Sequence, residues 1–283
     1  MWVRVLCRMR GDGCPAMRCF AAMMRWSPCM RRRADGSAPQ RWRPSSASSI
    51  GEAVPYSCSS YRIRCEGDAS SRGECVVSRE RVIGIDLDLT LIDTRRATGF
   101  ALESVNSRLG VEIDVEAVLG RLGPPLRDEL AQWVPRDRVE EAVQQFRAVL
   151  VAEGVALMEP MPGAQDLLAY MDRIGAAAVV VTSRRVEIAT ACLNACRLEV
   201  SRVIGSVTGA EKAPPLRQEN ASAYIGDHPL DMEAARTADV VAIGVTTGNH
   251  AALELQTGGA DRVFGTLWEV QRWLDSAEFR DQL

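Results

Sequence analysis

The stretch IGIDLDLTLIDT, Ile83 to Thr94, reads as a buried strand with two carboxylates, Asp86 and Asp88, in its middle. Charge within an apolar run is costly unless something compensates it. In a strand, residues i and i+2 point the same way and lie roughly 6.5–7 Å apart along the chain. Asp86 and Asp88 therefore approach one site if the strand ends there and the chain bends. Two unpaired carboxylates at such a site repel, and one is driven neutral; a divalent cation or a lysine relieves this.

Outward from this stretch the chain alternates between strand and helix. Arg81–Leu87 is a short β-branched run, and a helical region follows from about Arg95 to Gly154, with breaks at Gly110, Gly123–Pro125 and Pro135. Within it, Asp137–Val151 sets Val139, Val143, Phe146 and Leu150 on one face, the spacing of an amphipathic helix. Further strands are predicted at Ala177–Thr182, Arg202–Val207, Ala221–Ile225, Val240–Val245 and Arg262–Phe264. Between them lie helices at Gln165–Ile174, Arg185–Arg197, Leu230–Ala238, Ala251–Gln256 and Leu267–Asp275. Fully apolar strands such as AAAVVVT suit a parallel sheet covered on both faces. The fold class is therefore α/β: a Rossmann-like parallel sheet with helices on both faces, built from residues 80–94 and 160–283, and an inserted helical cap, residues 95–159.

In such sheets, sites form at the carboxyl ends of strands. VVVTSRR ends one at Thr182, where Ser183 and the amides opening a helix suit a phosphate. GAEKAPPL presents Lys212, the single lysine of a chain with 34 basic side chains. A sole lysine among arginines suggests a position that wants a compact ammonium, not a planar guanidinium. ASAYIGDHPLDME ends a strand at Gly226-Asp227, with Asp231 four residues on. A carboxylate-rich oxygen site of this kind suits Mg²⁺.

These segments resemble the haloacid dehalogenase-like hydrolase superfamily. IDLDLTLID matches its D-x-D-x-T motif, VVVTS its apolar strand ending in Thr or Ser, Lys212 its lysine, and GDHPLD its G-D-x-x-x-D motif. The resemblance covers about residues 81–275. The stretches MEPMPGAQDLLAYM and GRLGPPLRDEL look like the return segment and cap loop of the phosphoglycolate phosphatase-like branch. One departure is Leu89, where the family often has Gly; the turn is then less permissive.

The resemblance implies phosphoryl transfer through an aspartyl-phosphate. Asp86 would be the nucleophile and Asp88 the acid/base. Thr90, Thr182, Ser183 and Lys212 would bind the phosphoryl group. Asp86, the Asp88 carbonyl and Asp227 would hold Mg²⁺, with Asp231 counted in the metal set or orienting Lys212. The expected activity is a Mg²⁺-dependent phosphatase acting on a small phosphorylated metabolite of the phosphoglycolate type. A sugar-phosphate mutase, a pyrophosphatase and a nucleotidase share these residues. A dehalogenase has no use for an acid at Asp88 or for the metal, and a non-catalytic phosphate-binding protein has none for the carboxylate pair.

Other residues have plainer readings. Asp93 precedes a helix and suits an N-cap. His228 and His250 read as structural, and Trp268 and Trp273 as packing the last helix onto the sheet. Arg121 and Arg127 suit an anionic substrate tail or a solvated face about equally. Cys192 and Cys196 read as small apolar residues one helical turn apart.

Charge divides the chain. Residues 1–79 hold fourteen arginines and six carboxylates and are net positive, whereas the remainder is acidic; the whole carries -3. An acidic body argues against non-specific nucleic-acid binding, and no apolar run approaches a membrane span. The Arg-, Ser- and Cys-rich first 79 residues show no sustained period and are expected to be disordered. They suit an organelle leader, a basic arm, or sequence ahead of a true start near Val76 or Val77, the favoured reading. A cytoplasmic location is expected, with organelle targeting by that extension as the alternative.

Overall fold

The computed structural model describes residues 81–276 and residue 279, together with the backbone of residues 3–6, 61–66 and 74–79. Residues 1–79 and 80–283 form separate compact units. In the first, β1 (Val3–Leu6), β2 (Tyr61–Glu66) and β3 (Glu74–Arg79) make an antiparallel sheet of order β1-β3-β2. These strands were not expected from the Arg-, Ser- and Cys-rich composition of the segment. The rest of that unit, on which the expectation of disorder falls, lies outside the described residues.

The second unit is built on six parallel strands. They are β4 (Arg81–Ile85), β7 (Ala176–Val181), β8 (Arg202–Ile204), β9 (Ala221–Gly226), β10 (Val241–Val245) and β11 (Arg262–Phe264), in the order β11-β10-β9-β4-β7-β8. Their side chains alternate between two cores, one on each face. Ala176, Ala178 and Val180 of β7 enter one core with Ile83, Ile85, Ile225 and Ile243. Ala177, Val179 and Val181 enter the other with Val82, Tyr224 and Ala242. Burial on both faces is why these strands read as continuous apolar runs.

Helices α5 (Ala164–Arg173), α6 (Val186–Ala195), α7 (Ala213–Gln218), α8 (Pro229–Ala238), α9 (Ala252–Thr257) and α10 (Leu267–Leu274) link and flank the strands. The last helix divides its tryptophans. Trp273 is buried, its ring 5.9 Å from that of Phe264 and 4.8 Å from that of Phe279, whereas Trp268 is exposed and donates to Asp166. Only Trp273 therefore packs inward. Cys192 and Cys196 are buried free thiols, each pushed up to about 11 by burial, which suits apolar packing. Among the described residues, no helix is long and apolar enough to cross a membrane.

Between β4 and α5 the chain leaves the sheet through a short antiparallel ribbon, β5 (Ile92–Asp93) against β6 (Glu159–Pro160). Between these two strands the chain forms helices joined by short connections: α1 (Arg95–Leu109), α2 (Val115–Leu119), α3 (Leu126–Leu130), α4 (Val139–Ala152) and a 3₁₀ turn at Gly154–Leu157. Gly110 closes α1 at φ 61, donating to the Asn106 carbonyl as glycine caps do. The buried face of α4 includes Val139, Val143, Phe146 and Leu150. Thr94, not Asp93, occupies the N-cap of α1; Asp93 sits one residue earlier and accepts from the Arg95 N–H at 3.1 Å.

The departure at Leu89 has a conformational consequence. Strand β4 ends at Ile85, and the chain turns back at Leu89, whose φ of 57 lies in the left-handed region. A branched side chain there costs about 1–2 kcal/mol relative to glycine. Leu89 is nevertheless 1% exposed, and burying a leucine contributes about 1.5–3 kcal/mol, with a further loss when truncation leaves a cavity. Packing outweighs strain. Leu89→Gly should therefore lower stability by about 1–2 kcal/mol on these figures, read as a lower urea midpoint at unchanged m. A raised midpoint would mean that strain dominates.

Candidate active site

The carboxyl ends of four adjacent strands, β10, β9, β4 and β7, supply the site: Thr247, Asp227, Asp86 and Thr182 follow them within two residues. Asp86 follows β4 directly, and its N–H donates to the Ile225 carbonyl at 2.8 Å, so the ladder to β9 continues one residue past the strand. Lys212 is carried by a 3₁₀ turn, Gly209–Lys212, whose start is held by Glu211 accepting from the Thr208 N–H and hydroxyl at 3.2 and 3.1 Å. Asp231 lies in the first turn of α8, where the helix N-terminus favours a carboxylate.

These elements bring four charged side chains together. Lys212 is 6% exposed, and its ammonium donates to Asp86 Oδ1 at 2.7 Å and Asp231 Oδ1 at 2.6 Å. Thr90 donates to Asp227 Oδ1 at 2.9 Å. Carboxylate oxygens of Asp86, Asp227 and Asp231 lie within 4.8 Å of one another, and all three residues are buried. Burial pushes Asp86 up to about 7 against the pull of Lys212. It also raises Asp227 well above the carboxylate range, with Asp86 and Asp231 adding to the effect. Burial opposes the charge on Lys212, but Asp231 and Asp86 outweigh it and the group is raised.

Three carboxylates facing one ammonium leave a net excess of two negative charges when ionised. A divalent cation would neutralise that excess, and an all-oxygen donor set fits a hard cation. Asp86, Asp227 and Asp231 are thus the residues that could hold one.

Asp88 is held elsewhere. Arg184 clamps both its oxygens, with Nε at 2.9 and 2.8 Å and Nη2 at 2.6 Å. Burial would raise Asp88, but Arg184 overrides it and keeps the carboxyl below its usual range. Sequence reading missed Arg184. Its signal was faint: a cation three residues past a strand end, in a chain where arginine is common.

A cavity of about 220 Å³ opens over these groups and is bordered by both the sheet unit and the inserted helices. That is small beside the roughly 300–1,000 Å³ of most ligand pockets. Asp86, Asp88, Asp227, Asp231, Ser183 and Lys212 line it. Thr90 and Thr182 are fully buried behind it; Thr182 Oγ1 accepts from the Arg184 N–H at 3.2 Å. His228 also borders the cavity, as the N-cap of α8. Its Nδ1 accepts from the Leu230 N–H at 3.0 Å, and its ring meets His250 edge-on at 4.4 Å. Burial lowers its pKa.

Arg121 and Arg127 border the cavity too, but both are paired. Arg121 binds buried Glu129 through Nε at 3.0 Å and Nη2 at 2.6 Å, and Arg127 binds Glu140 at 2.9 Å. They tie α3 to the turn before it and to α4.

Gly248 was also missed by sequence reading. It lies in TTGNH after β10, and a Cβ there would sit 1.8 Å from Asp227 Oδ2. Only glycine leaves Asp227 in place. Gly248→Ala should reduce kcat/KM by about a hundredfold, the loss that an ångström of misplacement can cause. Far-UV circular dichroism should be unchanged, and wild-type kinetics would show that Asp227 tolerates the shift.

Comparison with known proteins agrees with this arrangement. A family profile described as haloacid dehalogenase-like hydrolase matches residues 83–245. A phosphoglycolate phosphatase of Caulobacter vibrioides is 29% identical over 214 residues, 67% of this chain and 89% of the relative. A phosphoglycolate phosphatase of Aquifex aeolicus is 30% identical over 173 residues, 56% of this chain and 81% of the relative. Among solved structures, a haloacid dehalogenase-like family protein from Streptococcus pneumoniae superposes with a TM-score of 0.62 at 24% identity, covering 69% of this chain and 98% of its own.

Proposed function

The chain belongs to the haloacid dehalogenase-like hydrolases and is a phosphatase of that family, and we propose that it hydrolyses a small phosphoglycolate-like monoester with Asp86 as nucleophile and Mg²⁺ as its metal. The observation that carries this reading is the buried Asp86–Lys212–Asp231 arrangement beside Asp227, at the end of the central strand. Residues 95–159 would act as the cap over it, and the small cavity supports a substrate of few heavy atoms.

Asp86 would attack phosphorus, and the bond to the leaving alkoxide would break as the aspartyl-phosphate forms. Carboxylate attack on a phosphate dianion is electrostatically opposed unless cations converge. Lys212 holds one such charge against Asp86 without solvent between them. Mg²⁺, held by Asp86, Asp227 and Asp231 with the Asp88 carbonyl, would supply further neutralisation of the phosphoryl oxygens. Asp231 orients the Lys212 ammonium, and Ser183 is available to the phosphoryl group. Thr90 fixes the Asp227 carboxylate and Thr182 the Arg184 backbone, so these two support the phosphate site from behind.

Asp88 would protonate the leaving oxygen and then deprotonate the attacking water. While Arg184 grips it, Asp88 is an ionised base, the form the second step needs. For the first step it must take a proton, so this ion pair has to open when substrate binds.

The test is release of inorganic phosphate by the full chain from phosphoglycolate and from p-nitrophenyl phosphate. EDTA should remove activity on both, and excess Mg²⁺ should restore it; persistence in EDTA would refute the metal assignment. Isomerisation of a sugar phosphate without phosphate release would point to a mutase instead.

A further inference from the structure

We propose that Arg147 and Arg185 recognise a second anionic group on the substrate, a carboxylate or second phosphoryl group carried on a short tail. This rests on the phosphatase reading and names what the substrate carries besides its ester phosphate.

Six cationic side chains border the cavity: Arg121, Arg127, Arg147, Arg184, Arg185 and Lys212. Four are matched by carboxylates, namely Arg121 by Glu129, Arg127 by Glu140, Arg184 by Asp88, and Lys212 by Asp86 and Asp231. The guanidinium groups of Arg147 and Arg185 make no hydrogen bond or ion pair among the described residues. They come from opposite sides, Arg147 from α4 of the inserted helices and Arg185 from the turn between β7 and α6.

Partial burial and the nearby Arg185 charge outweigh the pull of Glu140 and lower the pKa of the Arg147 guanidinium. Two like charges facing one cleft raise the local concentration of anions. An anion between them would relieve their repulsion and accept from both guanidinium forks, whose planar geometry suits carboxylate and phosphate.

The ester phosphate itself is spoken for by Asp86 and Lys212 on the sheet side. The cavity of about 220 Å³ then limits the tail to a few atoms.

Non-hydrolysable probes test this without turnover. Calorimetric titration of the full chain with Mg²⁺ would compare methylphosphonate, phosphonoacetate and methylenediphosphonate. Wild type should bind phosphonoacetate, methylenediphosphonate or both roughly tenfold or more tighter than methylphosphonate, as expected for hydrogen bonds to charged groups. Whichever probe gains separates a carboxylate from a second phosphoryl. The Arg147→Met/Arg185→Met variant should bring that ratio to within about threefold, the residue of lost charge-assisted bonds. If the double variant does not fold, Arg185→Gln alone, at an exposed position, should still reduce the ratio.

Equal binding of all three probes by wild type, a ratio unchanged in the variant, or no binding of any probe would each overturn the proposal. Hydrolysis of p-nitrophenyl phosphate by the same preparation separates this failure from failure of the phosphatase reading.

Discussion

Asp86→Asn should lose phosphatase activity by about 10⁴-fold or more, as removal of a covalent nucleophile does elsewhere. The fold should survive, because the amide has the carboxylate's shape and Lys212 keeps Asp231 as partner. Stability provides a second readout. Burial pushes Asp86 up to about 7, above the unfolded value of about 3.9. In EDTA the folded state therefore binds more protons than the unfolded state across that interval. Wild-type stability should fall as pH rises from about 4 to about 7. Asparagine cannot titrate, so the variant should show a shallower decline and, at pH 8, an equal or higher melting temperature. Retained turnover of p-nitrophenyl phosphate would remove Asp86 from the nucleophile's role. A lower melting temperature at pH 8 would contradict the electrostatic argument.

Lys212→Met should be nearly as damaging to activity, by about 10³-fold, and unlike Asp86→Asn it should also damage the fold. The substitution leaves Asp86, Asp227 and Asp231 buried with no counter-charge. Breaking a buried ion pair by removing one partner costs about 3–5 kcal/mol. The melting temperature should fall sharply in EDTA and recover in part with Mg²⁺, since a divalent cation can neutralise the same carboxylates. Lys212→Arg should keep the charge and still lose most activity, because a planar guanidinium does not match a buried site between two single oxygens. Wild-type stability of Lys212→Met in EDTA would show that these carboxylates fold protonated, without need of the ammonium.

The fold was largely legible because its signals are local. Runs buried on both faces show as AAAVVV, and the amphipathic helix at 139–152 shows as Val139, Val143, Phe146 and Leu150 on one stripe. Strand ends were read two or three residues long, at Leu87 for Ile85 and Val207 for Ile204, since apolar character continues into the turns that follow. The turn at Leu89 shows the limit of local preference. Residue type opposed a left-handed conformation there, and burial outweighed it.

The candidate site divides along the same line. Sequence alone determined which carboxylates and which lysine stand at strand ends, because a charge within an apolar context is conspicuous wherever the chain goes. Tertiary structure decided which charges meet. Arg184 and Asp88 are 96 residues apart, and Gly248 lies against Asp227 from the loop after another strand. The chain's arginines look alike in sequence, so paired Arg121 and Arg127 could not be told from unpaired Arg147 and Arg185. A cation's availability depends on whether a carboxylate lies within a few ångströms in space, and that distance is set by packing between elements, not by position along the chain.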